Sequence, residues 1–427
     1  MYFSRLLKIS SEKKNLIHNI FHLSFLQGLN YLLPLLSIPY LVRVIGPENF
    51  GLLAFSTATI LYFNIISDYG FNLSAVREIS IQRENKKRIE EIYSSVMIIK
   101  FILVLISFVL LSFVIFTLEK FSNDWRIYIL TYGMVIGQSL FPLFLFQGLQ
   151  KLKNVAYLNA LPKLFFILLI FICVKQKEDY WMVPLFNSLG FIFSGFFALY
   201  YVRYKLQIRF KNQPSQILKN HLINGWHVFF SSISISIYTI SSVFILGLLS
   251  NNTFVGYFSA AEKIIQAVKG LYVPISQALY PYLSKMLHHN KTKGLNLIKK
   301  FTSYAGSVMF LMCFFIFMMS EDIVKFILGQ QYLASIPLLK IMSFLPLLAL
   351  LSNIFGVQIM LNLGLRKIFS LILSLAAILS IILSLLLVPK LNATGTAINI
   401  LIVEIFVTVT MGIFLYIKVL KNAIKSI

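Results

Sequence analysis

Acidic side chains are scarce in this chain: 15 Asp and Glu stand against 38 Lys and Arg in 427 residues. Cysteine is scarcer still, with Cys173 and Cys313 far apart and each inside an apolar run. Two such cysteines exclude a disulfide framework and a cysteine-rich metal centre, and leave buried, inert thiols as the expectation. Histidine offers little more. His18 and His22 have the i, i+4 spacing of a helical metal pair, but no third ligand or acidic partner accompanies them. No nucleophile elbow, phosphate-binding glycine loop or H-E-x-x-H pair occurs, so neither enzymatic chemistry of those kinds, an ATP-driven pump, nor a cofactor is expected.

Apolar residues are abundant. The chain is 58% hydrophobic, 15% aromatic and only 12% charged, with a mean hydropathy of +0.81. Apolar runs of about 20 residues recur from end to end, each long enough to cross a hydrocarbon core. The fold class expected is all-α and polytopic, because a spanning segment must satisfy its own backbone hydrogen bonds. The short alternating segments of a membrane β-barrel are lacking.

Twelve spans fit, near 18–42, 51–75, 93–117, 126–147, 157–174, 182–202, 225–249, 254–280, 301–319, 337–361, 368–388 and 396–417. The basic N-terminal stretch has no small-residue cleavage site after its first apolar run, so that run is predicted to be a retained helix. An even number of spans places both termini on one side. On that side fall 27 of the 38 Lys and Arg; 7 fall on the other, and the remaining 4 lie within spans. The positive-inside rule then makes both termini cytoplasmic. This distribution also explains the formal charge of +23 without nucleic acid, since the cations lie against anionic membrane lipids. The hydrophilic stretch 206–224 is predicted to be a cytoplasmic linker between six-helix lobes at 1–205 and 225–427. Aligning Gly51 with Gly256 relates the lobes as parallel repeats offset by 205 residues around a central cavity.

The sharpest local pattern is residues 43–80. Val44, Gly46, Pro47 and Gly51 fill a V-x-G-P-x-x-x-G turn. Asp68, Gly70, Phe71, Asn72, Ser74, Arg77 and Glu78 fill a D-[YF]-G-F-N-x-[ST]-x-x-R-E block. In tandem the two motifs resemble the signature region of the Wzx-type polysaccharide (O-antigen) flippases of the multidrug/oligosaccharidyl-lipid/polysaccharide exporter superfamily. FQGLQKLK at 146–153, AAEKI at 261–265, PYLS at 281–284, QIMLNLGLRK at 358–367 and VPKLNATGTA at 388–397 extend the resemblance along the chain, with Asn392 where the family usually has glycine. The resemblance implies a flippase in the bacterial inner membrane. Its substrate would be an undecaprenyl-pyrophosphate-linked oligosaccharide, moved by alternating access, and a polysaccharide polymerase and a chain-length regulator would be its partners. Flippases of lipid II, teichoic acid or exopolysaccharide precursors differ only in substrate. A multidrug exporter would favour acidic cavity residues, and a membrane polymerase a long outward loop; neither pattern is present.

Ionisable residues inside spans are costly and by default face a polar cavity or one another. As substrate-binding or cavity groups the candidates are Arg77, Lys100, Lys263, Lys269 and Lys340. Asp68, Glu262 and Glu404 are candidates for ion pairing or coupling-ion binding. Lys269 lies deep in its span and Lys100 about two turns into another. For Arg77, Lys340 and Lys163, snorkelling to the headgroups competes with a cavity role. Asp68 and Arg77, nine residues apart, do not share a helix face, so pairing of Asp68 across helices or titration is expected. Glu404 serves equally well as a proton site or as partner to a cavity lysine. Buried cations suit a pyrophosphate, whose oxygens need charged donors once they leave water.

Overall fold

In the computed structural model, which describes residues 37–417, every regular element is helical. Against the twelve spans expected along the whole chain, seven segments among the described residues are long and apolar enough to cross a membrane. Lys86–Thr117 shows why: only 33% of its most apolar window is buried within the protein, and Phe101, Val109, Phe113 and Phe116 stand exposed along it. An apolar surface of that extent needs lipid rather than water against it. The protein is therefore a multi-pass membrane protein. The expected first span, 18–42, lies almost wholly outside the described residues, as do His18 and His22.

Two compact units are formed, one of Tyr40–Gly256 and one of Tyr257–Ile427 with Met1–Pro39, each to the extent described. In the first, residues 37–68 are helical through Gly46, whose φ of 73° lies in the left-handed region that glycine tolerates without strain. After Asp68 the chain breaks at Tyr69 (φ 49°) and Gly70 (φ 76°), and a new helix runs Phe71–Ile81. Phe71, Ala75 and Ile79 of that helix pack on Phe144, Leu145 and Phe146. The helices Trp125–Leu140 and Met182–Tyr204 approach backbone to backbone. A Cβ on Gly137 would sit 2.3 Å from the Phe191 carbonyl carbon, so only glycine fits.

The expected link, 206–224, lies within this unit. Residues 207–214 are irregular yet anchored. The Arg209 N–H donates to Glu90 Oε1 (3.1 Å), the Lys211 N–H to Ser94 Oγ (3.0 Å), and Ile208 is buried. From Ser215 the chain is already helical, to Leu249.

The backbones near residues 47–51 and 252–256 also meet closely. A Cβ on Gly51 would fall 1.7 Å from the Asn252 carbonyl oxygen, and one on Gly256 would fall 1.9 Å from that of Pro47. Glycine at both positions is thus a packing requirement, which accounts for the second glycine of the V-x-G-P-x-x-x-G turn.

The second unit contains most of Asn252–His289, then Lys291–Met318, Ser335–Met342 and Leu345–Asn353. Residues Ile354–Leu361 form a wide-turned π-helix, and Arg366–Leu415 closes the described chain. This last element is two helices meeting at Asn392 (φ 49°, ψ −127°), three residues after Pro389. Asn392 stands where the resembled family has glycine, and the backbone there is one that glycine adopts more readily. Its core gathers Leu283, Leu287, Ile298, Met309, Cys313, Leu350 and Ile354.

Candidate functional site

The break at Tyr69-Gly70 builds the site. It ends one helix on Asp68 and starts the next so that Asn72 returns to it: Asn72 Nδ2 lies 2.9 Å from both Asp68 oxygens. Tyr69 itself is held outside, stacked on Phe229 at 4.6 Å with its hydroxyl donating to the Leu222 carbonyl. From Lys86–Thr117 comes Lys100, whose Nζ sits 3.0 Å from Asp68 Oδ1. The lysine side chain is only 4% exposed against 27% for the aspartate. Asp68 thus pairs across helices with the buried Lys100 ammonium.

This pair lines a cavity of about 540 Å³ in the first unit. Asn64 donates to Gln138 Oε1 (3.0 Å) on one wall. On another, Ser194 donates to the Leu158 carbonyl (3.0 Å) beside Asn159. Half-buried Lys163 also lines the cavity, its Nζ 4.2 Å from the centroid of the Phe191 ring. Among the described residues no carboxylate lies within ion-pairing distance of Lys163, and its ammonium sits over the aromatic face instead. Two ammonium groups and one carboxylate leave the cavity with a surplus of positive charge, surrounded by neutral amide and hydroxyl groups.

Other sequence candidates are placed elsewhere. Arg77 is exposed on Phe71–Ile81 and does not line this cavity. In the second unit Lys263 and Lys340 are exposed, and Lys269 is half-buried. Glu262 accepts from Gln266 (3.1 Å), and Glu404 accepts from Ser352 Oγ (2.8 Å). Sequence reasoning passed over Asn64, Gln138, Asn159 and Ser194. The available signal was helical spacing: Asn64 stands four residues before Asp68, and Asn159 four before Lys163, on the same helix faces.

The second unit holds a smaller cavity, of about 350 Å³, lined by Tyr272, Val273, Ser276, Gln277, Tyr280, Asn353 and Val357. Ser276 donates to Asn353 Oδ1 (2.6 Å), and the buried Gln358 amide donates to Ser276 (2.9 Å). No charged side chain is among the lining residues.

Comparison with known proteins gives consistent findings. The family described as "Polysaccharide biosynthesis protein" matches residues 16–287. A protein of Escherichia coli (strain K12), named "Putative O-antigen transporter", is 35% identical over 406 residues, covering 95% of this chain and 98% of its own length. A protein of the same name from Shigella dysenteriae is 30% identical over 403 residues, covering 92% and 98%. Among solved structures, an inward-facing multidrug resistance MATE family transporter of the MOP superfamily matches at TM-score 0.70 and 14% identity, over 94% of this chain and 96% of its own. The lipid II flippase MurJ, in an inward closed conformation, matches at 0.68 and 14%, over 94% and 87%. At that identity the two likenesses speak for the fold alone.

Proposed function

Because the chain belongs to the polysaccharide biosynthesis protein family, we propose that it is a flippase for an undecaprenyl-pyrophosphate-linked oligosaccharide. The cargo is an O-antigen repeat unit or a similar polysaccharide precursor, carried across the bacterial inner membrane by alternating access. The observation that carries this reading is Lys163, which lines the same cavity as the Asp68–Lys100 pair and, among the described residues, has no carboxylate within ion-pairing distance. A pyrophosphate leaving water needs charged donors to replace its hydration. Asp68 already occupies Lys100 and Asn72, so Lys163 is the cation available to a phosphate oxygen. Asn64, Gln138 and Asn159 supply amides for neutral oxygens of the headgroup, while the polyprenyl tail stays in lipid.

The relatives named as O-antigen transporters favour translocation over catalysis. No bond of the substrate changes in this scheme. With the termini cytoplasmic, a potential negative inside favours outward movement of the anionic head by about 2.3 kcal/mol per net charge per 100 mV. A cavity with surplus positive charge disfavours the cationic cargo of a multidrug exporter.

The test is deletion of the gene in its host, with analysis of surface polysaccharide and lipid-linked intermediates. The expected result is loss of the polymer while the complete lipid-linked unit accumulates in the cytoplasmic leaflet. A single repeat still reaching the surface would point to a polymerase and sink the flippase reading. Intact polysaccharide with altered drug sensitivity would do the same in favour of an exporter.

A further inference from the structure

On the outer surface of the first unit an apolar groove of about 620 Å³ runs between Lys86–Thr117, Trp125–Leu140 and Met182–Tyr204. Its walls include Met97, Phe101, Leu105, Ile136 and Leu199, of which Phe101, Leu105 and Ile136 are exposed. The polar end differs sharply from the rest. There Arg203, at the last turn of its helix, lines the groove with Ile208 and Phe210 of the anchored 207–214 segment.

The charges at that end are unbalanced. Glu90 is buried and satisfied, by the Arg209 N–H and by Lys211 Nζ at 2.6 Å. The guanidinium groups of Arg203 and Arg209 and the Lys205 ammonium are exposed, and among the described residues none has a carboxylate partner. The length is informative as well. From Tyr93, beside the basic end, to Leu105 the helix rises about 18 Å at about 1.5 Å per residue. That is close to one leaflet of a hydrocarbon core about 30 Å thick.

We propose that this groove is a binding site for an anionic glycerophospholipid of the bilayer, with one acyl chain along Phe101–Leu105 and the phosphate on Arg203. The docked 207–214 segment is what makes it a site rather than a stretch of lipid-facing surface, because its Ile208 and Phe210 close the groove beside Arg203. The inference requires that the chain span a membrane and is independent of what the chain transports.

The experiment is native mass spectrometry of the detergent-purified full chain with added phosphatidylglycerol, phosphatidylcholine or undecaprenyl phosphate. One phosphatidylglycerol should be retained at least fivefold more than phosphatidylcholine. Arg203→Ala should reduce that retention at least fivefold and Arg203→Lys should restore part of it. Leu105→Trp and Ile136→Trp, at exposed groove positions, should each reduce it by filling the groove, while Leu311→Trp, exposed in the other unit, should not. Thermal unfolding of each variant identifies any that is simply unfolded, and the two groove fillers stand in for one another. Equal retention of the two glycerophospholipids would overturn the proposal, as would retention unaffected by Arg203→Ala. Preferential retention of undecaprenyl phosphate would overturn it too, marking a resting place for a polyprenyl tail instead.

Discussion

The cavities of the two units solve different problems. In Tyr40–Gly256 the cavity is larger and holds an ion pair plus a second lysine. In the Tyr257–Ile427 unit it is smaller and is built of hydroxyls and amides with two tyrosines. Charge suits a headgroup that must exchange water for fixed cations, but it makes the first cavity fragile: its parts are stable only together. Neutral hydrogen bonds make the second cavity more tolerant, since each one contributes little by itself. The contrast teaches that polarity alone does not define the site of an anion; unbalanced charge does.

The largest expected effect comes from breaking the ion pair. Asp68→Ala strands Lys100 in the protein, and the cost should fall toward the low end of about 3–5 kcal/mol, because Asp68 is partly exposed. Thermal unfolding in detergent measures it, and adding Lys100→Met should recover most of the loss. Next is Lys163→Ala, which should leave the unfolding temperature in place while removing a charge-assisted contact worth about 1.5–3 kcal/mol. Complementation of polymer synthesis should then fall about tenfold or more, with Lys163→Arg restoring much of it; unchanged complementation would remove Lys163 from the site.

Smaller effects belong to the neutral cavity. Gln358→Leu gives up the two bonds that its amide makes to Ser276, each 2.9 Å, at about 1–2 kcal/mol. Added salt should leave that difference unchanged, whereas the Asp68 effect should respond to it. Tyr272→Phe loses one hydrogen bond to the Ala349 carbonyl (3.3 Å) and should cost under about 1 kcal/mol. If the order of these four were reversed, the contrast between charged and neutral cavities would collapse.

Much of this was legible along the chain. Ionisable residues stand out in apolar spans, so Asp68 and Lys100 were visible as candidates, and Gly70 stands at the break after Asp68, whereas the chain runs on as helix through Gly46, where a turn between spans was expected. What could not be read was which charges meet. Asp68 and Lys100 are 32 residues apart on helices separated by a break, and only tertiary packing selects that pair over Asp68 with any other lysine. Lys163 was hidden by the snorkelling alternative, which depends on the depth and direction of a side chain. Neutral amides such as Gln138 escaped notice because a span tolerates them with little cost once they are paired. Nor does composition show that residues 207–214, polar and basic, are tied down by Glu90 and Ser94.

The contact between Gly51 and Gly256 has a property of its own. Adding 205 to 51 gives 256, and adding 205 to 47 gives 252, so the approach of Gly51 to Asn252 is the image of the approach of Gly256 to Pro47. Each glycine faces a backbone carbonyl on the opposite side of one approach, so neither can carry a side chain unless the two backbones separate. Enlarging either glycine would therefore push apart the same pair of backbones, and so disturb the seat of the other.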